Sequence, residues 1–453
     1  MANVDTLDLW KKWMGAVQAQ AFPNGLTDQQ QFSAGSTTLN VDLGNGDPGI
    51  TNYYVYGIGD VIPAASPAYS SAGGLLAAYA TFLDWVDLGA MVNPNLESQV
   101  NQATAALNTA QTNFNNVQVA AYNAYGAYKN VNPNPPPFQA WVQQNYPSYL
   151  NANNALIGAS GAYDEIMIKA YGPGYSVVQQ ARAKVGINGA QNMATQNPYN
   201  MPVKMGSVAP AGSQPVVIGG TNPVPANNLF SAFAPSYSLQ AFSAKYAEWQ
   251  QASVAGKNNA GASISISSSS GSYDFDESGW STSVDASLFG DFFSFFGGGS
   301  ASGQKTSINT SSSDFSLAVD FTGFGTFPIG PGLWWDNGGL VATYHNRLKP
   351  GAPDFFGDNG ALARVPTQII AGFQPTVKLK MTASDYSNVK NSWQAQATAS
   401  IGIGPFRIGS ATVSTSGTKQ DIKWDDASAT VTIGPVSSTL PILLGVVSQK
   451  LGG

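Results

Sequence analysis

Two periodicities of hydrophobic residues divide the chain into a front half and a rear half. In the front half, apolar side chains recur every three or four residues, which is the spacing of an amphipathic helix. This pattern predicts helices at 6–20 and 72–91. From about residue 262 the apolar side chains recur at every second position, as Ile264 and Ile266 do, which is typical of strands. The sequence therefore predicts an α+β protein, with a helical region followed by an antiparallel β-rich region.

The clearest helical pattern lies in segment 96–171. Its first half has apolar positions spaced alternately four and three residues apart, as in a coiled coil: Leu96, Val100, Ala103, Leu107, Ala110, Phe114, Val117, Ala121, Ala124 and Tyr128. Asparagines and prolines at 130–137 end this helix, because proline lacks the backbone donor that a helix needs. A returning helix with a kink at Pro147 is predicted at 138–171. The segment therefore predicts a long antiparallel helical hairpin.

The rear half contains short runs of alternating apolar and polar residues between glycine-rich and proline-rich turns. Strands are predicted at 315–321, 377–381, 395–403, 408–414, 420–425, 429–434 and 441–448. Such runs are typical of an antiparallel β-sandwich or a barrel-like domain. We therefore predict a helical domain at 1–255, which includes a Pro/Gly-rich linker at 198–228, and a β-rich domain at 256–453.

Charged residues are scarce, and they are scarcest in the predicted hairpin. Asp, Glu, Lys and Arg make up 10% of the chain, where about 25% is typical. From Ser98 to Tyr163 the one charged residue is Lys129. Coiled coils normally carry Glu and Lys beside the seam, but here those positions hold Asn, Gln, Thr and Ala. Two interpretations stay open: the hairpin packs against its own domain, or it docks on another protomer or enters a membrane.

The composition also excludes several classes of function. Without cysteine, disulfides, thiolate metal sites and cysteine catalysis are excluded. The net charge of −6 gives no reason to expect nucleic acid as a partner. His345 is the one histidine, and the sequence contains no nucleophile elbow and no phosphate-binding glycine loop, so we predict that the protein is not an enzyme. We expect synthesis in the cytoplasm without a signal peptide, and release by a non-classical route if the protein is exported.

Residues 262–322 are the first candidate for a functional segment. Serine-rich alternating runs flank an apolar centre made of Leu288, Phe289, Phe292, Phe293, Phe295 and Phe296. Strands with one small polar face and one apolar face suit a barrel in lipid. The arrangement is similar to the insertion hairpins of aerolysin-type β-pore-forming toxins, and this resemblance implies that the six residues insert into a membrane or mediate assembly. The alternative is a soluble hairpin whose phenylalanines pack beneath the sheet.

Two further candidate sites carry weaker signals. Asp274, Asp276, Ser278 and Asp285 fall at ligand positions of a loop that resembles the EF-hand, which makes calcium the one cofactor that the sequence raises; the alternative is a solvated acidic turn. Trp334, Trp335 and Asp336 would suit a sugar, because tryptophan rings stack on sugar rings and carboxylates bind hydroxyls; the alternative is a core tryptophan pair at a strand end.

Together these patterns predict a non-enzymatic, self-associating protein that acts on membranes, of the pore-forming toxin or defence type. Weak repulsion between surfaces with few charges favours a homo-oligomer. Membrane lipid or a surface glycan is the further partner that we expect. Two alternatives remain, namely a self-assembling structural subunit of a filament, sheath or shell, and a carbohydrate-binding protein.

Overall fold

The computed structural model describes residues 4–35, 47–63, 74–89, 91–206, 229–255, 261–272, 292–296, 304–305, 308–357, 360–394, 400–409, 422–434 and 441–451. These residues contain ten α-helices and a large antiparallel sheet of eight strands, which confirms the α+β class. Contacts divide the chain into two compact units. The sheet unit consists of Met1–Asp84, Lys184–His345 and Gly351–Gly453, and the hairpin unit consists of Trp85–Ala183 and Asn346–Pro350.

Most helices lie in the front half and most strands in the rear half, as the sequence predicted. In chain order the helices are α1 (Val4–Ala21), α2 (Pro48–Gly59), α3 (Leu75–Trp85), α4 (Glu97–Val131), α5 (Phe138–Asn145), α6 (Pro147–Tyr171), α7 (Pro173–Val185), α8 (Phe242–Val254), α9 (Gly339–Tyr344) and α10 (Ala383–Gln394). The strands are β1 (Gln30–Ala34), β2 (Asn200–Gly206), β3 (Leu229–Pro235), β4 (Tyr237–Leu239), β5 (Ala262–Ser267), β6 (Phe293–Phe296), β7 (Gln304–Lys305), β8 (Ser316–Pro331), β9 (Arg364–Lys380), β10 (Ser400–Ile403), β11 (Phe406–Gly409), β12 (Ile422–Asp425), β13 (Thr430–Ile433) and β14 (Ile442–Lys450).

Two long strands form the centre of the large sheet. β8 and β9 pair antiparallel from Ser316↔Lys380 to Pro328↔Gln368. The other edge of β9 pairs with β14 and then β1 at one end, and with β13 and then β12 at the other. The other edge of β8 pairs with β5 and β4. The sheet therefore joins strands from both halves of the chain, whereas its predicted form as a sandwich or barrel stays a prediction.

Helix α1 covers a large core of the sheet unit. Its apolar side chains recur at helical spacing, and Trp10 and Trp13 are at most 1% exposed. They pack with Ile264 and Ile266 of β5 and with side chains from β8, β9, β13 and β14. The mostly buried Lys12 forms an ion pair with Asp8 at 2.9 Å and donates to the Ser268 carbonyl at 2.9 Å. Since this charge has partners, it does not oppose the packing of α1.

Helix α8 packs through aromatic rings on the long strands. The Trp249 ring lies 5.8 Å from the Phe327 ring and 6.1 Å from the Phe373 ring, measured between centroids. Gly323 of β8 lies directly beneath this tryptophan. A Cβ atom at Gly323 would stand 2.3 Å from a Trp249 ring carbon. The sheet therefore requires glycine at this point, because no other residue leaves space for the indole.

We expect Gly323→Ala to lower the free energy of unfolding by about 1–3 kcal/mol, because the added methyl displaces Trp249 from a packed position. Gly330→Ala is a matched control on the same strand, since nothing lies within 4 Å of a Cβ there. The midpoints of urea denaturation measure both effects. Equal midpoints for the two variants would contradict the packing shown here.

Candidate functional site

The hairpin unit contains a long helical hairpin, which we call the arm. Helix α4 forms its outgoing half, and helices α5 and α6 form its returning half. Helix α4 has 35 residues, which corresponds to about 50 Å. Every predicted seam residue from Leu96 to Tyr128 is buried or partly buried, and α4 packs antiparallel against α6. The returning half of the arm is broken at Tyr146, between α5 and α6. This break lies directly before Pro147, where the sequence predicted a kink. The predicted antiparallel hairpin is therefore confirmed.

The outer faces of the arm are exposed. In α4 only Val100 and Ala121 are buried, and in α6 only four residues are. The exposed side chains of α4 are mostly amides, hydroxyls and small groups, for example Asn101, Asn108 and Asn115, which follow one another at intervals of seven, and Val119 and Val131 are exposed as well. A helix that is polar on its outer face without ionic groups lacks the usual protection against docking of other chains. The single chain therefore leaves this uncharged surface open to solvent.

An aromatic cluster forms the tip of the arm. Trp141 and Tyr149 are buried there with Ala121, and six more aromatic rings pack around them: Phe114, Tyr122, Tyr125, Tyr128, Phe138 and Tyr146. Tyr122 stacks on Phe138 at 4.1 Å between centroids and is 52% exposed. The Tyr125 hydroxyl donates to the Pro136 carbonyl at 2.6 Å, which fixes the connecting loop. The tip therefore combines a small apolar core with exposed phenol groups.

Two details of the tip are chemically notable. The indole Nε1 of the buried Trp141 has no hydrogen-bond acceptor among the described residues. Lys129 Nζ lies 5.1 Å from the centre of the Tyr125 ring, in a cation–π contact. The one cation of the tip is therefore placed against an aromatic face.

The two outer edges of the arm differ at mid-length. The outer edge of α4 is an open polar surface, formed at mid-length by Asn108, Thr109, Thr112, Asn113 and Asn116. The outer edge of α6 carries small exposed residues at mid-length, namely Asn151, Asn154, Ala155, Gly158, Gly161 and Ala162, with the exposed Ile157 beside them and the ion pair of Glu165 and Lys169 beyond. The sequence signal for this edge was present but not interpreted: two glycines three positions apart inside a predicted helix.

Of the six residues predicted to insert into a membrane, the structure describes the side chains of two, Phe292 and Phe293. Phe292 and Phe293 are 1% and 5% exposed and belong to the core beneath α1, with Phe292 5.1 Å from the Trp10 ring. This is the location that the alternative interpretation predicted. Phe295 and Phe296 lie in β6, but their side chains are outside the described part of the chain, as are Leu288 and Phe289 entirely.

The calcium candidates Asp274, Asp276, Ser278 and Asp285 fall in 273–291, outside the described residues. Among the residues that the structure describes, no group of three or more aspartate, glutamate or histidine side chains is close enough to hold a metal ion. The calcium hypothesis therefore stays a prediction.

The tryptophan pair predicted to bind sugar lies in the core at the end of β8. Trp334 is 0% and Trp335 9% exposed. Trp334 Nε1 donates to the Ser236 carbonyl at 3.0 Å, and Tyr79 packs 4.4 Å from Trp335, between ring centroids. Asp336 accepts a hydrogen bond from the Tyr79 hydroxyl at 2.9 Å, and burial raises the pKa of that phenol. Neither ring offers an exposed face for stacking in this conformation.

A second partly buried carboxylate lies near these aromatic rings. Asp60 Oδ1 accepts hydrogen bonds from the Tyr237 hydroxyl at 2.7 Å and from the Leu76 amide at 2.9 Å. Burial raises the pKa of Asp60 above its usual value of 3.8, and these hydrogen bonds only partly offset that effect. Asp60 therefore links the start of α3 to β4 through these hydrogen bonds. Its ionised form is disfavoured because the carboxylate is partly removed from water.

This shift predicts a pH-dependent stability. Because the folded state holds the proton of Asp60 at higher pH than the unfolded state does, the contribution of Asp60 to stability falls as pH rises from 3.8 through its raised pKa. Asp60→Asn does not titrate. We therefore expect the stability of the variant relative to the wild type to increase as pH rises from 3.8 through the raised pKa of Asp60. Urea denaturation across a pH series measures it, and parallel curves would contradict the prediction.

Comparison with known proteins adds no assignment to this geometry. No protein-family model, no curated protein and no solved structure matches the chain. In the described part of the chain, no helix has the length and apolar character required to cross a bilayer. The function must therefore be argued from the surfaces themselves.

Proposed function

We propose that this chain is a non-enzymatic, self-associating protein whose arms pack against one another in an oligomer that acts on membranes. The observation that carries the proposal is the exposed outer surface of the arm, where Lys129 is the one charge between Ser98 and Tyr163. Burial of an unpaired charge opposes association strongly, whereas amides and hydroxyls are buried at little cost when they find hydrogen-bond partners. An arm of this composition is suited to being covered by other chains.

The tip of the arm supports a membrane as the target. Tyrosine and tryptophan are enriched where a protein meets the lipid headgroups, because each has an apolar ring and a polar end. Tyr122 presents such a ring to solvent beside Phe138. The tip carries one cation and no anion, so we expect binding to uncharged lipid with little dependence on salt.

The proposal is tested with the wild-type protein over a range of concentrations, with and without phosphatidylcholine vesicles. Sedimentation velocity and electron microscopy report assembly, and release of an encapsulated dye reports membrane damage. We expect ordered oligomers and leakage of the vesicles. A protein that sediments as a monomer throughout and leaves the vesicles intact would refute the proposal.

Tyr122→Ser tests the role of the tip separately. We expect it to weaken binding to phosphatidylcholine vesicles roughly five- to tenfold, on the order of the transfer energy of one partly buried aromatic ring. Val177→Ser is the control, since Val177 of α7 is 51% exposed, close to the 52% of Tyr122. Vesicle flotation measures both variants. Equal loss of binding in the two would remove the tip from the mechanism.

The second candidate function is a structural subunit of a filament, sheath or shell. The asparagine and threonine side chains on the outer edge of α4 favour it, because such side chains suit contacts between proteins in water. Ordered polymers that form without lipid, together with intact vesicles, would favour this candidate over membrane action. Carbohydrate binding has less support, since Trp334 and Trp335 are buried.

A further inference from the structure

Helix α5 is a separate short segment in the returning half of the arm. Three prolines, Pro135 to Pro137, precede it, and Pro147 follows it. At Pro137 φ is −54° and ψ is 147°, and at Tyr146 they are −138° and 70°, so α5 continues into no neighbouring helix. Hinge motions take place at such element ends, because only a few dihedral angles have to change. Helix α5 can therefore move as a unit while α4 and α6 stay folded.

One face of α5 is apolar and the other is polar. Trp141 and Val142 are 5% and 1% exposed in the aromatic cluster of the tip, and Phe138 packs beside them. The outer positions hold the exposed residues Gln139, Ala140, Gln143, Gln144 and Asn145. No residue of α5 is charged. The helix is therefore amphipathic without ionic groups, and its apolar face suits burial in uncharged lipid.

The indole of Trp141 is buried without a hydrogen bond. Its Nε1 finds no acceptor among the described residues, which include the whole arm. The ring centroids of Tyr125, Tyr128 and Tyr146 lie 5.3, 5.7 and 6.2 Å from its own. A buried donor without a partner opposes the packed state, because it has lost its hydrogen bond to water and gained none. The closed position of α5 therefore leaves one strong donor unsatisfied.

We propose that α5 is a strap that swings away from α4 at a membrane and inserts Phe138, Trp141 and Val142 among the lipid headgroups. This proposal rests on the proposed membrane action and names the element that enters the bilayer surface. Ester carbonyl and phosphate oxygens of a phospholipid accept the hydrogen bond that the Trp141 indole lacks, and its ring carbons contact the upper acyl chains. Tryptophan is enriched at this depth in membrane proteins for the same reason.

The scarcity of charge around α5 specifies the kind of bilayer surface. From Asn130 to Tyr163 the chain has no charged residue. The preceding residue, Lys129, has its Nζ 5.1 Å from the centre of the Tyr125 ring. Coulomb attraction therefore contributes little, and the apolar area of three side chains drives insertion. We expect nearly equal binding to vesicles of phosphatidylcholine and to vesicles with added phosphatidylserine. A preference of roughly tenfold or more for the anionic vesicles would overturn this mode of contact.

One hydrogen bond holds the connection before α5 in its closed position. The Tyr125 hydroxyl donates to the Pro136 carbonyl at 2.6 Å. Tyr125→Phe removes this bond and keeps the ring that packs on Trp141. We expect the variant to bind phosphatidylcholine vesicles about two- to tenfold more tightly than the wild type, because only the closed state loses a hydrogen bond. Tyr128→Phe is the matched control on the same helix, and vesicle flotation measures both. Equal binding of the two variants would contradict a closing role of the Tyr125 hydroxyl.

Trp141→Phe separates the indole donor from the bulk of an aromatic ring. Phenylalanine has no donor to leave unsatisfied in the closed state and none to offer to the lipid. We expect binding to phosphatidylcholine vesicles to fall about three- to tenfold, while the thermal midpoint stays close to that of the wild type. A purely structural role of Trp141 would lower the midpoint and leave vesicle binding unchanged. That result would overturn the proposal.

A covalent bridge across the strap tests the opening directly, because the natural chain has no cysteine. The rings of Tyr122 and Phe138 stack at 4.1 Å between centroids, so thiols at these positions are close enough for dibromobimane to bridge. The full-length variant Tyr122→Cys/Phe138→Cys is bridged in this way. Its control is the same variant with a separate monobromobimane on each thiol. We expect the bridged protein to bind phosphatidylcholine vesicles more weakly than the control, by about fivefold or more.

The bridged variant also keeps this proposal distinct from membrane action in general. Equal vesicle binding by the bridged protein and its control would overturn the proposal, since the strap would not have to open. Binding and leakage by the wild type would then still support the proposed function. If the wild type neither binds vesicles nor makes them leak, the strap and the membrane action fail together. Flotation with the same vesicles measures all three proteins.

Discussion

Two glutamates on the outer edge of α4 are expected to keep the protein monomeric. In Thr112→Glu/Asn116→Glu, both carboxylates would be buried without a cation where arms pack against one another in the proposed oligomer. Burial of unpaired charge is strongly unfavourable, by about 3 kcal/mol or more, which corresponds to roughly a hundredfold loss of affinity. Sedimentation velocity across a concentration series measures the loss, and the expected result is a single monomer boundary where the wild type forms oligomers.

The matched control for this variant is Thr112→Gln/Asn116→Gln, which changes size in a similar way but adds no charge. We expect the control to assemble at close to the wild-type concentration. Two like charges four residues apart weaken a helix by only about 0.2–0.5 kcal/mol, so both variants should unfold near the wild-type midpoint. Equal assembly of the glutamate and glutamine variants would show that this edge is not buried in the oligomer.

Truncation of Trp10, a buried side chain of α1, is expected to have the greatest effect on stability. Trp10 is 0% exposed and contacts the Phe292 ring edge-on at 5.1 Å. Trp10→Ala removes an indole from a packed core, for which losses of about 3–5 kcal/mol are typical. Since marginal stability is itself of this order, we expect a large decrease in the midpoint of urea denaturation, and partial unfolding of the sheet unit without denaturant.

Leu333→Ala serves as the control for Trp10→Ala, because Leu333 is 69% exposed. Its truncation should change the free energy of unfolding by less than about 0.5 kcal/mol. A Trp10→Ala protein as stable as this control would mean that α1 does not hold the core together.

The arm could be predicted from the sequence because its contacts repeat along one helix. The spacing of Val100, Phe114 and Ala121 identifies a seam without knowledge of any distant residue, and Pro147 marks the break in the return helix. The absence of charge beside the seam also indicated an unusual surface. The sequence could not predict that this surface is exposed in the single chain, since composition does not tell whether other parts of the chain cover a surface. The structure shows the exposure directly.

Other elements were missed because local composition concealed them. Residues Asn200–Gly206 of the predicted linker form β2 and pair with Leu229–Pro235, a partner that lies beyond a long segment rich in Pro, Gly and Asn. Pro202 within β2 argued against a strand. Helix α2 was also missed inside a Gly/Asn/Pro-rich stretch, although Asp47 and Pro48 give a capping residue and a favourable first helical residue.

The candidate sites of the rear half show what a local pattern leaves undetermined. Phe292 and Trp334 have sequence surroundings that suit either an exposed or a buried ring. Their burial depends on Trp10 and Tyr79, each more than 250 positions away in the sequence. Contacts over such separations produce no local periodicity. The proposed division at residue 255 rested on local patterns for the same reason, whereas the sheet unit draws residues from both sides of that position.

The pairing of β1 with β14 sets the order in which the protein matures on the ribosome. Gln30 lies opposite Gln449, so the sheet closes only after nearly the whole chain has emerged. The arm needs residues from its own unit alone, and its helices are complete by Tyr171. At typical elongation rates, on the order of tens of seconds separate the two events. We expect nascent chains on one messenger to carry finished arms during that interval, so that subunits begin to meet before any of them is released.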